Sequence, residues 1–435
     1  MVWTGESKIL KCCIVLLITF SSLAICGHRK KQELIYVLEW TSATNEPFAS
    51  IKPKRQSVLS KNCIDQNCYF TSNRDHFDDV RGYNAILFNI MNLYLDMGPV
   101  PYERADNQIY VAVGTEPAAN HPQDTDFDMF FNLTWTYKLN SDVPFPFMSI
   151  RNNNSDLIGP KANGTHWMNF TEMKPVNKYI KRKLRNKKTA AAWFVSNCYA
   201  NKERIDFGQN LTQELAKYGQ TLDIYGTCGN KTCPKDQMDE CFALIESDYY
   251  FYLAFESSFS EDYVTEKILT ALQHFAVPVV FGGANYTKFM PNGTYLDARA
   301  LGPAKLAKEM NDIIKDKNRY YDFFRWRRYY RYDASSDNAD SDGICALCTA
   351  LNKASRSDER RVYARFREWW NELQDGGTHA NPIAKLPPKA RDAVNYRPTE
   401  VAETHIPGMT PPPTLLQSFT QFLGNIYSYY FEIQT

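Results

Sequence analysis

The chain has 435 residues, which is long enough for two domains of ordinary size, and 44% of them are hydrophobic, so most of it can bury a core. Its formal net charge is +1. That balance argues against a nucleic-acid-binding protein, which usually carries a basic excess or stripe.

An uncharged apolar run, "CCIVLLITFSSLAIC", occupies residues 12–26 and has basic residues on both sides. A membrane span needs roughly 17–25 residues, and the run reaches the lower edge of that range only when it is extended to residue 9. It predicts a transmembrane signal-anchor at 9–26, after a cytoplasmic tail at 1–8 and before a very short stem at 27–32. A cleaved signal peptide stays open, because Ala24 and Cys26 are small residues at cleavage positions. Both interpretations place the remaining chain in the secretory lumen.

Sequons and cysteines agree with a luminal location. Eight N-x-S/T sequons are candidate N-glycosylation sites: Asn132, Asn153, Asn163, Asn169, Asn210, Asn230, Asn285 and Asn292. Outside the apolar run the chain has eight cysteines: Cys63, Cys68, Cys198, Cys228, Cys233, Cys241, Cys345 and Cys348. In an oxidising lumen they predict disulfides. Zinc binding by the C-x-x-C of Cys345 and Cys348 is the alternative, and the compartment and the scarcity of histidine disfavour it.

Apolar runs at 33–40, 85–94 and 108–116 predict buried strands in an N-terminal domain at 33–180. The polar and basic stretch at 152–188 predicts the linker to a second domain at 181–374. That domain is predicted to have strands at 190–197, 221–226, 249–256 and 277–283, and helices at 202–219, 262–275 and 304–316. Such alternation predicts a parallel sheet covered by helices, with ligands at the carboxyl ends of its strands. The Pro-rich residues 375–435 predict a largely irregular tail.

Two D-x-D patterns, at Asp124–Asp126 and Asp340–Asp342, suggest the metal site of a metal-dependent nucleotide-sugar transferase. The pattern is weak in a chain with 49 acidic residues, and both copies are predicted to lie in loops or turns. We therefore predict no metal ligands.

The residues richest in chemistry lie at 250–267, "YFYLAFESSFSEDYVTEK". Lys267 is predicted in the first turn of a helix, where backbone N–H groups and a partial positive charge favour an anion. Arg204 opens the helix of another strand–loop–helix unit, so the two bases are candidates to neutralise a diphosphate. Glu266 can accept hydrogen bonds from sugar hydroxyls, and Tyr252 and Tyr263 can supply a stacking face and a hydroxyl. From these residues alone, a helix-stabilising Glu266 and a solvated Lys267 remain the alternative.

The same stretch, followed by "VPVVFGG" at 277–283, resembles the donor motif of the α1,3/1,4-fucosyltransferases. Three other elements resemble that family: "AAWFVSNCYANKER" at 191–204, "FFNLTWTYKLNSDVPFPF" at 130–147 and "VGTEPAAN" at 113–120. The resemblance runs from about residue 33 to about residue 370. It implies a GT-B-like α/β fold, in which two Rossmann-type domains face each other across a cleft.

The resemblance also implies an activity and its residues. The reaction would be inverting transfer of L-fucose from GDP-fucose, in α1,3 linkage, to GlcNAc of glycoprotein glycans. The enzyme would be a Golgi type II membrane protein that needs no cofactor and no divalent metal. Glu116 matches the general base, and Arg204 and Lys267 match the residues that neutralise the diphosphate. Other donor-pocket positions match Ser196, Asn197, Tyr252, Glu256, Tyr263 and Glu266.

By the same resemblance Cys63 and Cys68 bridge to Cys345 and Cys348, and the other four cysteines pair in one of three ways. Two departures from the family pattern are Ser257, where an Asn is usual, and Lys138, where an Arg is usual. Core N-glycan and Lewis-type lactosamine acceptors both stay open. The cysteines in "SNC" and "CGNKTC" look similar to those of invertebrate and plant relatives, and this resemblance slightly favours core-type acceptors. Two other functions are alternatives: an inactive, fucosyltransferase-like glycan-binding Golgi protein, and a metal-dependent transferase that uses Asp124 and Asp126.

Overall fold

The computed structural model describes residues 33–41, 63–93, 100–101, 103–335, 343–372 and 383–386. The predicted anchor or signal segment at 9–26, the stem, the second D-x-D pattern and most of the tail lie outside these residues. Within the described ranges, no helix combines the length and apolar character that crossing a bilayer requires.

The first sheet has six parallel strands. They are β1 (Ile35–Glu39), β2 (Cys68–Thr71), β3 (Ala85–Asn89), β4 (Ile109–Gly114), β5 (Leu133–Thr136) and β6 (Val143–Pro144), in the order β2-β1-β3-β4-β5-β6. β3 and β4 are buried throughout because both faces of the sheet are covered, which is typical of parallel sheets. The three strands predicted at 33–40, 85–94 and 108–116 are confirmed.

The second sheet has five parallel strands, in the order β10-β9-β11-β12-β13. They are β9 (Thr189–Phe194), β10 (Leu222–Tyr225), β11 (Tyr249–Phe255), β12 (Val277–Phe281) and β13 (Leu296–Asp297). The helices of this half are α1 (Lys178–Leu184), α2 (Lys202–Ala216), α3 (Met238–Asp248), α4 (Glu266–Gln273), α5 (Ala298–Lys315) and α6 (Lys317–Asp322). The predicted strand–helix alternation and parallel sheet are confirmed.

Two predicted helices have different bounds in the structure. The helix expected from residue 262 begins at Glu266, because Asp262 has a left-handed backbone with φ 58° that cannot continue a helix. The helix expected from residue 304 begins six residues earlier, at Ala298, where the Asp297 side chain caps it by accepting the N–H of Ala300. It breaks at Gly302, whose φ of 71° suits glycine, and resumes at Pro303.

The predicted linker at 152–188 is more structured than expected. β7 (Met148–Asn152), β8 (Leu157–Gly159) and β14 (Tyr330–Ala334) form a small antiparallel sheet in the order β14-β7-β8. α1 already packs in the core of the second half through Ile180 and Leu184. The predicted boundary at 180/181 therefore cuts a helix and must move towards β7.

The chain after residue 342 returns to the first sheet, which corrects the predicted second domain at 181–374. Its elements are α7 (Gly343–Ser355), β15 (Arg360–Tyr363), α8 (Phe366–Asn371) and β16 (Ile383–Leu386). Leu347 and Leu351 of α7 share a core with Val37 and Leu87 of the first sheet. β16 pairs with β15, so this part of the predicted irregular tail is a strand.

Four disulfides join the eight cysteines outside the apolar run. Cys63 is bonded to Cys345 and Cys68 to Cys348, as the family resemblance implied. The zinc alternative for this C-x-x-C is therefore wrong, because both sulfurs are in disulfides. The remaining pairs are Cys198–Cys228 and Cys233–Cys241, which settles the pairing that the sequence had left open.

Candidate active site

The second sheet has its topological switch point between β9 and β11. The chain leaves β9 towards β10 on one side and then crosses to β11 on the other side of β9. In open parallel sheets, ligands bind in the crevice outside the carboxyl ends of the two strands at such a point. The loops at that crevice are the one that follows Phe194 and the one at 256–265, which we call the donor loop.

Arg204 connects these two strand ends. It lies in the first turn of α2, which Asn201 caps by accepting the N–H of Arg204 at 3.3 Å. Its guanidinium donates to the carbonyl of Asn197 at 2.7 Å and to the carbonyl of Phe255 at 3.3 Å. The side chain is only 3% exposed, so its charge is fixed at the floor of the crevice.

Lys267 lies in the first turn of α4, as predicted. Its ammonium is 3.3 Å from carboxylate oxygens of both Glu256 and Glu266, and it donates to the Thr265 hydroxyl at 2.9 Å. Burial alone would lower the pKa of Lys267, but the two carboxylates outweigh it and raise that pKa. The side chain is 24% exposed, so a fixed cation reaches the crevice surface.

The two acids of this motif occupy different environments. Glu256 is buried and caps α4: it accepts the N–H of Thr265 at 2.9 Å, and burial raises its pKa despite the nearby Lys267. Glu266 is exposed to solvent. Burial would raise the pKa of Glu266, but Lys267 and hydrogen bonds lower it, so this carboxylate is charged and can accept hydrogen bonds. Glu256 therefore supports the start of α4 from inside the protein, and Glu266 is the acid that a ligand can reach.

The two tyrosines predicted as stacking faces are buried. Tyr252 packs beside Phe194 with ring centroids 5.9 Å apart, in a core that includes Ile268 and Leu272 of α4. Tyr263 meets the ring of Tyr137 edge-on at 5.3 Å. Residue alternation on β11 directs Tyr252 inward, and Tyr263 packs against Tyr137 and Phe147 of the first half, so neither ring presents an open face to a nucleotide or sugar.

Glu116 follows β4 of the first sheet and is half-buried. Burial raises the pKa of Tyr263, and the charges of Glu116, Glu256 and Glu266 raise it further. Acids from both halves of the molecule therefore lie near enough to this tyrosine to influence its ionisation. The structure brings the predicted base and the predicted donor residues together.

Hydrogen bonds join the donor loop to two loops of the first half: the one after β4, which we call the Glu116 loop, and the one after β5. The N–H of Ala119 donates to the Ser260 hydroxyl at 3.2 Å, and the N–H of Leu139, after β5, donates to Asp262 at 3.2 Å. The other carboxylate oxygen of Asp262 is 2.8 Å from the ammonium of Lys288. Sequence reasoning missed Ser260, Asp262 and Lys288. The only sequence feature that could have indicated these three residues is that they lie inside the donor motif or shortly after it.

The remaining predicted donor residues lie on the lip of the crevice. Ser196 is exposed, and the Asn197 side chain accepts the N–H groups of Tyr199 and Ala200, which shapes the loop after β9. Ser257, the departure from the family pattern, lies next to Tyr263.

The structure also places the predicted metal-binding acids and the predicted glycosylation sites. Asp124 and Asp126 are exposed, and the described residues contain no cluster of three or more metal-binding side chains.

Seven of the eight sequon asparagines are exposed. The exception is Asn132, whose amide donates to the carbonyl of Arg361 at 2.9 Å and accepts the N–H of Tyr110 at 2.8 Å. Asn132 is therefore corrected to a structural residue.

An acid from one half and two bases from the other lie on the loops that face the crevice, and such an arrangement suits group transfer from an anionic donor. Two family descriptions match the chain: "Fucosyltransferase, N-terminal" at residues 30–148 and "Glycosyltransferase family 10 (fucosyltransferase) C-term" at 184–369. The chain belongs to the glycosyltransferase family 10 fucosyltransferases, and it is a fucosyltransferase.

Curated relatives give the same family. The chain is 33% identical to the alpha-(1,3)-fucosyltransferase C of Drosophila melanogaster over 313 residues, which is 71% of this chain and 70% of that protein. It is 30% identical to a 3-galactosyl-N-acetylglucosaminide 4-alpha-L-fucosyltransferase of Pan troglodytes, over 76% of this chain and 80% of that protein. A crystal structure of an alpha1,3-fucosyltransferase with GDP-fucose matches with a TM-score of 0.43 and 16% identity, over 76% of this chain and 93% of that one.

Proposed function

We propose that this fucosyltransferase moves L-fucose from GDP-fucose to GlcNAc of glycoprotein glycans, in α1,3 linkage and with inversion. The observation that carries the proposal is that the loop of Glu116 is hydrogen-bonded to the donor loop, which leads directly into Glu266 and Lys267. Relatives named as alpha-(1,3)-fucosyltransferases of Drosophila melanogaster and Caenorhabditis elegans support the linkage. Luminal disulfides and exposed sequons support a Golgi type II membrane protein.

The chemistry follows from the charges. The carboxylate of Glu116 accepts the proton of the acceptor hydroxyl while that oxygen forms a bond to C1 of fucose. The bond between C1 and the β-phosphate oxygen breaks, and GDP leaves with the electron pair. The fixed cations Lys267 and Arg204 stabilise the negative charge that grows on the diphosphate. Since the protein supplies these cations, we propose that transfer needs no divalent metal.

Glu266 is the acid that can bind donor hydroxyls, because its carboxylate is both exposed and charged. Glu256 cannot do so directly, since Thr265 and Lys267 occupy its oxygens. We assign Glu256 to holding Lys267 in place.

The test is incubation of the purified full-length protein with GDP-fucose in EDTA. The acceptors are a core N-glycan and a lactosamine, and the products are read by mass spectrometry. We expect a mass gain of one fucose on a GlcNAc, with the core N-glycan preferred. Preference for lactosamine would change only the acceptor. GDP binding with no transfer to any acceptor would favour an inactive glycan-binding protein, and loss of activity in EDTA together with loss in Asp126→Ala would favour a metal-dependent transferase.

A further inference from the structure

The end of α8 holds the segment that follows Glu116. The indole N–H of Trp370 donates to the carbonyl of His121 at 2.8 Å. Asn371 and Gln123 exchange two hydrogen bonds, of 2.8 Å and 2.6 Å. The part of the chain that returns to the first sheet therefore supports the loop with the predicted base.

Glu372, the residue directly after α8, bridges the two halves of the site with its two carboxylate oxygens. One oxygen is 2.8 Å from the ammonium of Lys138, which follows β5 in the first half. The other accepts the backbone N–H of Glu261, in the donor loop, at 2.9 Å. Each oxygen thus has a donor from a different half of the molecule.

Lys138 keeps this carboxylate in place. Its side chain is buried, its ammonium donates to the carbonyl of Trp369 at 3.3 Å, and it lies 5.5 Å from the centre of that residue's ring. Without this carboxylate the buried ammonium would lose its ion-pair partner, so the pair is held tightly. The lysine that departs from the family pattern has a defined partner in this chain.

We propose that Glu372 is a positioning residue of the transfer reaction. By joining Lys138 to the amide of Glu261, it sets the donor loop at a fixed separation from the Glu116 loop, which the same end of α8 supports. The inference rests on the proposed function, because it assumes that Glu116 acts on a donor bound beside the donor loop. Displacement of reacting groups by about 1 Å can cost about 100-fold in rate.

Three full-length variants test this role. Glu372→Ala removes the bridge. Glu372→Gln keeps the size of the side chain. Its amide NH2 group must face either the Lys138 ammonium or the Glu261 N–H, and neither can accept a hydrogen bond. Glu368→Ala is the matched control, since Glu368 lies on the same helix and pairs with Arg365 instead of the donor loop. The measurements are kcat, KM for GDP-fucose, GDP affinity by calorimetry, thermal stability, and hydrogen exchange of donor-loop peptides.

We expect kcat to fall about tenfold or more in Glu372→Ala and by a smaller factor in Glu372→Gln, while GDP affinity stays within about twofold. Glu368→Ala should keep the kcat of the wild type. Donor-loop amides should exchange faster in both Glu372 variants than in the control.

A kcat in Glu372→Ala equal to that of Glu368→Ala would overturn the proposal. So would a parallel fall of kcat and GDP affinity, because that would show a purely stabilising role. If Glu372→Ala is not recovered folded, Glu372→Gln decides by the same criteria. If the wild type transfers no fucose, the proposed function fails, and hydrogen exchange still decides this inference: unchanged protection of the donor loop in the Glu372 variants would overturn it.

Discussion

The ammonium of Lys267 lies 3.3 Å from the carboxylate of Glu256, which is buried at the start of α4. A lysine on an exposed helix end samples many positions, but this one is held by Glu256 and Thr265. Its charge is in place before any ligand arrives, and such preorganisation makes electrostatic stabilisation effective.

Replacing Lys267 with Met should remove most of the activity. We expect kcat to fall about 100-fold or more, the usual cost of losing one group that stabilises developing charge. Glu256 would also lose its ion pair, so thermal stability should fall. Lys308→Met is the control, because Lys308 pairs with Asp312 on the exposed face of α5. Fucose transfer and thermal unfolding of both variants are the measurements, and equal kcat values would contradict the assigned role of Lys267.

Glu116→Gln should separate chemistry from donor binding. An amide cannot accept the acceptor proton, so we expect kcat to fall by about 10²- to 10⁴-fold. GDP affinity should not change, because Arg204 and Lys267 are intact. Calorimetry with GDP and single-turnover transfer check this, with Glu240→Gln, an exposed acid in the first turn of α3, as the control. Full activity in Glu116→Gln would remove Glu116 from the mechanism.

The stability of the protein should fall in mild acid because of His121, in the segment after Glu116. Burial lowers the pKa of His121 to about 4. The unfolded chain, with a pKa near its usual value of about 6.5, binds a proton that the folded state rejects between those two pH values. The contribution of His121 to the free energy of unfolding should therefore fall by about 1.4 kcal/mol per pH unit from pH 6.5 down to pH 4.

Urea unfolding of the wild type and of His121→Asn at pH 7 and pH 5 isolates this contribution, because other groups titrate alike in both proteins. The wild type should lose more stability than the variant on acidification. Equal losses would show that His121 titrates normally in the folded state.

N-glycan occupancy should distinguish Asn132 from the other sequons. Its amide is engaged with Arg361 and Tyr110, so a glycan there is incompatible with the native core. Glycopeptide mass spectrometry of protein from a eukaryotic host should find Asn132 unmodified. Glycans are expected only at the exposed sequons, such as Asn153 and Asn210. A glycan on Asn132 of active enzyme would contradict this placement.

Local patterns accounted for much of the second half of the molecule. Buried strands such as β11 and β12 were predictable because their apolar runs are short and bounded by turns. Lys267 and Arg204 were predictable because each follows a strand and opens a helix, a relation that lies within one short stretch of sequence. The directions of the Tyr252 and Tyr263 rings were not predictable, because Tyr252 depends on how α4 packs on the sheet and Tyr263 on contacts with the first half of the molecule.

Long-range contacts could not be predicted from the residues alone. Glu372 contacts Lys138, 234 residues away, and Glu261, 111 residues away. No periodicity links such positions, and Glu372 lies close to the predicted start of an irregular tail. The left-handed backbone at Asp262 depends likewise on partners outside its own loop, Leu139 and Lys288.

The chain crosses between the two halves on neighbouring strands. It leaves the first half along β7 and comes back along β14, and these strands are hydrogen-bonded side by side, with Ile150 opposite Tyr332. The half with the second sheet is thus an insertion whose entry and exit lie next to each other. The half with the second sheet could therefore be replaced as one unit, in evolution or by design, through junctions in β7 and β14. The disulfide-linked first half would stay unchanged.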